Sequence, residues 1–227
     1  MRWIPAALLA CLLALPAAAE EVDMALVLLA DVSFSIDDHE YTLQKRGYAE
    51  AFASSRVIDA VRSGPLGRVA VIYVEWDGSA EVMVPWTIIR SAEDSRAFAD
   101  AIAHVTRHDG NGMTAVASAI LFGHSLFPAE GIEPVRRVLD VSGDGIDNQQ
   151  GDTTSARDLA VADGMTVNGL PIGGEKKVVA FYHDQVIGGP RAFLARADDF
   201  EAFGVSVIDK IAVEISGAPP PDRLAGR

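Results

Sequence analysis

The chain has 227 residues, 32 acidic against 19 basic side chains, a formal net charge of −13 and one cysteine. That length suffices for one well-buried α/β core, and the acidic balance, with no basic stripe, argues against nucleic acid and anionic membranes as partners. A single cysteine leaves no disulfide framework to hold the fold.

Residues 1–19 read as a secretory signal peptide, with Arg2 as the positive start, an apolar stretch over 6–15 and Ala17-Ala18-Ala19 as the cleavage site before Glu20. The stretch is too short and wrongly flanked for a membrane span. A lipoprotein site at Leu8-Leu9-Ala10-Cys11 would leave the apolar residues 12–19 as a purposeless mature terminus. Cleavage after Ala19 is therefore expected, leaving about 208 residues and no cysteine.

The apolar run Met24 to Ala30 stops abruptly at Asp31-Val32-Ser33-Phe34-Ser35, as a buried parallel strand does at its C-terminal end. Residues i, i+2 and i+4 of an extended segment point the same way, so one carboxylate and two hydroxyls face a common point. Hard oxygen donors of this kind suit Mg²⁺ or Mn²⁺ better than zinc or copper. The same residues can instead cap the helix that follows.

Asp37-Asp38 opens a helix expected to run to about Arg62. Val69 to Trp76 and Ala80 to Trp86 are β-rich runs around Asp77-Gly78, a hairpin signal. The second is thus an antiparallel edge strand, where Pro85 is tolerated. Ser91 to Val105 reads as a helix, and Gly110-Asn111-Gly112-Met113-Thr114-Ala115 as a glycine-rich turn into an apolar helix over 116–127. A strand over 136–141 leads to Ser142-Gly143-Asp144-Gly145, a second strand end that carries a carboxylate.

A helix over 154–163, a strand over 165–172 and a short helix within 177–185 follow. Gly188-Gly189-Pro190 marks a turn before a last short strand at 192–195. Asp198-Asp199 cap a C-terminal helix with Phe200, Phe203, Val207 and Ile211 inward. Residues 218–227 read as a flexible proline-rich tail, leaving one domain over 20–217.

Strand–helix alternation with one antiparallel hairpin predicts an α/β fold: a doubly wound, mostly parallel sheet with one antiparallel edge strand and helices on both faces. The first strand should be central. The edge beyond Ala30 is then a topological switch point, where such sheets bind ligands.

The order Asp-x-Ser-x-Ser, Gly-x-Thr, strand-Asp-Gly resembles the metal-ion-dependent adhesion site of von Willebrand factor A domains. Trp76-Asp77, Val141-Ser142-Gly143-Asp144-Gly145, Val167-Asn168-Gly169-Leu170-Pro171-Ile172 and Val186-Ile187-Gly188-Gly189-Pro190 resemble the exported bacterial family called domain of unknown function 1194. The resemblance implies a Rossmann-like fold and a divalent ion (Mg²⁺, or Mn²⁺ or Ca²⁺) held by Asp31, Ser33, Ser35, Thr114 and Asp144, the last directly or through water. It also implies a position left to water, which an Asp or Glu carboxylate of a protein partner can fill. The helix beginning at Thr114 favours such an anion. Two departures stand out: Met113 replaces a common glycine, and Ser142-Gly143 precede Asp144 where a threonine is common.

Enzymatic alternatives lack their residues. A phosphatase with a strand-terminal aspartate needs a second carboxylate two residues on, where this chain has Ser33. The first strand–helix turn has no glycine cluster for a dinucleotide, and Ser33 lacks a Gly-x-Ser-x-Gly setting. His104 and His108 share a face only if their helix persists to 108. Asp147 and Asn148 read as loop polarity, with a pair that supports the ligands from behind as the alternative, and Trp76, Asp77 and Trp86 as hairpin packing or a rim. The expected function is an exported, periplasmic or extracellular, non-enzymatic domain that binds a protein partner through a divalent ion. An assembly factor for an exported enzyme is the alternative, and a Mg²⁺-dependent hydrolase a weaker one.

Overall fold

Eight consecutive buried residues, Met24–Asp31 (β2), form the middle of a five-stranded sheet. The computed structural model describes residues 19–127 and 129–220; the expected signal peptide, Ala19 apart, and residues 221–227 lie outside the described residues. In chain order the elements are β1 (Glu20–Val22), β2, α1 (Asp38–Ala53), α2 (Ser55–Ser63), β3 (Val69–Trp76), β4 (Ala80–Ile89), α3 (Ala92–His104) and α4 (Val116–Ser125). Then come β5 (Ile132–Pro134), β6 (Arg137–Gly143), α5 (Thr153–Ala162), β7 (Thr166–Pro171), α6 (Lys176–Phe181), a π turn (Tyr182–Val186) and α7 (Phe200–Ser216).

The sheet order is β4-β3-β2-β6-β7, with β3, β2, β6 and β7 parallel and β4 antiparallel to β3. Both neighbours of β2 arrive by crossovers, so its C-terminal end opens at the switch point. Its side chains alternate between two cores. Met24, Leu26 and Leu28 pack with Tyr48, Phe52, Val61, Phe98, Phe203 and Val207 of α1, α2, α3 and α7. Val27 and Leu29 pack with Val116, Ile120, Ala156, Ala160 and Val178 of α4, α5 and α6. Burial on both faces is why the strand reads as an unbroken apolar run rather than an alternating one.

Several expectations change in detail. The helix expected to run to Arg62 is two helices, because Ser54 is extended (φ −78°, ψ 146°) and its Oγ accepts from Val57 N at 3.3 Å. A capping hydroxyl satisfies a free N–H of a new helix, and so breaks the old one. β4 extends to Ile89 and is irregular against β3: Val71 pairs with Thr87 and Tyr73 with Val84, so Ile72 alone faces Pro85 and Trp86. Proline removes a ladder donor there, and the bulge absorbs it. The short strand expected at 192–195 reduces to isolated bridges, Leu194 with Gly169 and Ala197 with Ile172. Together with Gly188, which exchanges both backbone hydrogen bonds with Val167 (2.8 and 3.0 Å), this segment covers the outer edge of β7. A two-stranded parallel sheet of β1 and β5 was not legible from three-residue strands.

A buried charge cluster lies between β6 and α7. Lys210 Nζ pairs with Asp140 and, at 2.5 Å, with Glu214 Oε1, all three in the interior. Asn168 Nδ2 donates to the same Glu214 oxygen at 2.8 Å. One ammonium balances one carboxylate, and burial pushes the Glu214 carboxyl up to about 8, with Asp140 adding to the shift. Lys210 and Asn168, both bonded to this carboxyl, oppose the rise.

Candidate metal centre

Three loops meet beyond the C-terminal ends of β2 and β6. The first follows β2 directly, and its polar atoms are held in place by their own backbone. Asp31 Oδ1 accepts from Ser33 N at 2.8 Å, which turns the chain tightly and brings Ser33 and Ser35 together. Their hydroxyls lie 3.2 Å apart. Ser35 Oγ donates to Asp144 Oδ1 at 2.7 Å, and Thr114 Oγ1 to Ser33 Oγ at 3.3 Å. The structure thus gathers four of the five residues singled out from sequence into one hydrogen-bonded set of oxygens. Asp31 adjoins them through the Ser33 backbone, and its Oδ2 is buried without a hydrogen-bond partner.

In an octahedral Mg²⁺ shell with ligands at ~2.0–2.1 Å, adjacent oxygens are about 2.9 Å apart. The spacings of 3.2, 2.7 and 3.3 Å suit adjacent ligands of one small cation. The orphaned Asp31 oxygen supplies a buried acceptor that a cation or its bound water would satisfy. Among the described residues no three His, Cys, Asp or Glu side chains converge as a metal-binding group. The candidate set is two carboxylates and three hydroxyls, a donor class suited to hard cations.

Electrostatics without a cation disfavour two ionised acids. Burial pushes the Asp31 carboxyl up to about 8; its Ser33 hydrogen bonds oppose this and the charge of Asp144 adds to it. Burial likewise raises Asp144, against the Ser35 hydrogen bond. The site is a negative-charge trap whose cost a divalent cation would remove.

Neighbouring residues that the sequence did not mark hold these loops. Arg107 sends Nη2 to the carbonyls of Val32, Ser33 and Ile36 (3.0, 3.3 and 2.7 Å), clamping the first loop from beneath. Buried Glu75 accepts from His108 N at 2.8 Å and from the Tyr41 and Tyr73 hydroxyls, fixing the segment that carries Arg107. Asp77 accepts from Gly112 N at 2.6 Å and Ser79 N at 2.8 Å, tying the second loop to the hairpin. Gly112 has φ +71°, a left-handed conformation that favours glycine. Asp77 is therefore a loop anchor, while Trp76 is wholly buried and Trp86 packs on Phe127.

Asn148 and Asp147, expected as plain loop polarity, belong to the site's support. Asn148 Oδ1 accepts from Thr114 N at 2.9 Å, and Asp147 Oδ2 from Ala117 N at 3.0 Å in the first turn of α4. The Asn148 contact orients Thr114, which stands just before α4 rather than within it. The signal that could have found them is the Asp147-Asn148 dipeptide, three and four residues past Asp144. His104 ends α3, and His108 lies beyond it, bonded to Ser79 and Glu81 at 2.9 Å each. The two histidines do not share a helix face.

Exposed apolar side chains stand among the polar residues of these loops. Phe34 is 81% exposed between Ser33 and Ser35, and its ring lies against Gly112. Met113, next to Thr114, and Ile146, two residues beyond Asp144, are exposed as well. Each ligand-bearing loop thus presents one large apolar side chain.

The doubly wound sheet that carries these loops at its switch point is a fold of the von Willebrand factor A type. The chain belongs to the family described as protein of unknown function DUF1194, whose model matches residues 21–219. Among solved structures it is similar to proximal thread matrix protein 1 from the mussel byssus, with a TM-score of 0.65 and 17% identity over 88% of this chain and 48% of that one. A second structure of the mussel protein, described as having a zinc-occupied MIDAS motif, matches with a TM-score of 0.60 and 18% identity over 86% and 46% of the two chains. A von Willebrand factor type A structure from Catenulispora acidiphila matches at 0.58 and 16% over 86% and 43%. At these identities the likeness is one of fold, and the chain spans about half the length of the mussel proteins it matches. No curated protein matches the chain.

Proposed function

We propose that this chain is an exported recognition domain that binds a protein partner through a divalent cation held by Asp31, Ser33, Ser35, Thr114 and Asp144. The observation that carries the reading is the convergence of the Ser33, Ser35, Thr114 and Asp144 oxygens beside the unpaired Asp31 Oδ2. The bound ion would supply an electrophilic point for an Asp or Glu carboxylate of the partner; Mg²⁺ and Mn²⁺ suit the donor set. The mussel protein's zinc-occupied MIDAS motif supports a cation site in this fold, without choosing the ion here. Phe34, Met113 and Ile146 would give the partner apolar contact around that carboxylate.

The groups near these oxygens suit holding rather than turnover: the set is serine and threonine hydroxyls bonded to one another, with no histidine or lysine among them, and its two carboxylates are the groups assigned to the cation. Export with cleavage after Ala19 is part of the same proposal. Among the described residues no helix is long and apolar enough to cross a membrane. The deciding experiment is calorimetric titration of the chain from residue 20 with Mg²⁺ and Mn²⁺, beside Asp31→Asn and Asp144→Asn. Saturable binding lost in both variants supports the reading; equal heats in all three overturn it.

A further inference from the structure

Tyr182 opens the π turn that follows α6, in a segment that contributes no strand to the sheet and none of the expected ligands. Its ring is fully buried on the α4/α5/α6 side of the sheet, and its hydroxyl has no hydrogen-bond partner. A phenylalanine would fill the same volume without that cost, because a buried unpaired hydroxyl forfeits its water hydrogen bonds and gains nothing in return. The hydroxyl therefore asks for an explanation.

The answer lies across Gly143. A methyl group built on Gly143 would stand 2.5 Å from Asp31 Oδ2 and 2.8 Å from the Tyr182 hydroxyl oxygen. The two unpaired buried oxygens thus flank one small space, which exists because residue 143 has no side chain. One is an acceptor on a candidate ligand. The other is a donor with nowhere else to give its proton. π turns interrupt helices where a side chain must be re-aimed, often at functional sites, and this one begins at the residue in question.

We infer that Tyr182 is a positioning residue of the metal centre, donating its hydroxyl hydrogen toward Asp31 Oδ2 through one water in the space beside Gly143. The inference rests on the metal-binding reading above. A donor on Oδ2 and the Ser33 N–H on Oδ1 together fix the plane of the Asp31 carboxylate, so the ion meets a pre-oriented ligand. Such outer-shell partners orient ligands, and their removal lowers metal affinity about 10- to 100-fold.

The test is Mn²⁺ titration of the chain from residue 20, read by the electron spin resonance of free Mn²⁺, with the melting temperature of each metal-free protein measured in parallel. Tyr182→Phe should weaken Mn²⁺ binding about tenfold or more while leaving the metal-free melting temperature unchanged or raised. A purely packing role would move neither affinity nor spectrum, so wild-type Mn²⁺ affinity in Tyr182→Phe overturns the inference while leaving the metal site standing. Gly143→Ala, which fills the shared space, should also weaken binding if it folds. A wild type that binds no Mn²⁺ overturns the metal-binding reading and this inference together.

Discussion

Ser35 donates to Asp144 across 2.7 Å, joining the loop after β2 to the end of β6 over a separation of 109 residues. Neither residue is near the other until the parallel pair β2–β6 has formed, so the site is a product of tertiary structure. Its chemistry follows from that junction, where a hydroxyl and a carboxylate carried just beyond two adjacent strands are hydrogen-bonded.

Divalent metal should stabilise the folded chain. At about ten times the dissociation constant the linkage is roughly 1.4 kcal/mol, or about 3–6 °C in melting temperature for a domain of this size. Asp31→Asn keeps the acceptor for Ser33 N and should abolish the shift. Differential scanning calorimetry with Mg²⁺ and with chelator checks it; a shift of equal size in the variant would refute the assignment.

Thr114→Ala should cost partner binding more than folding. Its side chain bonds only to Ser33 Oγ and weakly to Asn148, so the loss to stability should be about 1 kcal/mol, while the ligand set loses one of its hydroxyls. Affinity capture from periplasmic extract with the wild type and the variant, in Mg²⁺ and in chelator, is the measurement. A partner retained equally in excess chelator would rule out a metal bridge.

Stability should fall as pH rises from about 5 to 8. The Glu214 carboxyl, raised by burial to about 8 from 4.5, faces Lys210 of its own helix, Asp140 and Arg136 from the β6 side and Asn168 of β7. The folded state holds a proton that the unfolded chain has released above 4.5. Its contribution is therefore complete below that value and lost as pH climbs through the folded pKa, with a slope of up to ~1.4 kcal/mol per pH unit. Glu214→Gln should flatten the curve. Urea midpoints at pH 5, 6.5 and 8, in chelator, decide between a flattened and an unchanged slope.

The exported form should begin at Glu20 and carry no lipid. Intact mass of the protein recovered from periplasm or medium checks this. A terminus at Cys11 bearing acyl chains would make the protein membrane-tethered instead.

The sheet was legible because strand periodicity is local, and Gly112 before Thr114 marks a turn; Asp31, Ser33 and Ser35 do come together, but by a tight turn beyond the end of β2 and not by alternation on an extended segment. Arg107 was not legible, and for Asp77 and Asn148 a place near the site was legible but not the contact, since each of the three acts on backbone atoms of a distant loop. Lys210 was hidden differently. On an amphipathic helix a lone lysine reads as a solvated residue, and only its partner Asp140, inside a buried strand, shows otherwise. The break at Ser54 escaped because Ala53-Ser54-Ser55 contains neither glycine nor proline.

The two borders of the sheet have a consequence for how this protein can meet others. On one side the ladder of β4 is disrupted at Pro85; on the other the segment from Gly188 to Ala197 already occupies the free backbone groups of β7. A visiting peptide therefore finds no continuous row of amides and carbonyls on which to extend the sheet by a sixth strand. Crowded copies are likewise denied edge-to-edge stacking. The association proposed above would fall instead to the loop pole of the molecule, where contact would depend on side chains and could be withdrawn by removing the proposed ion.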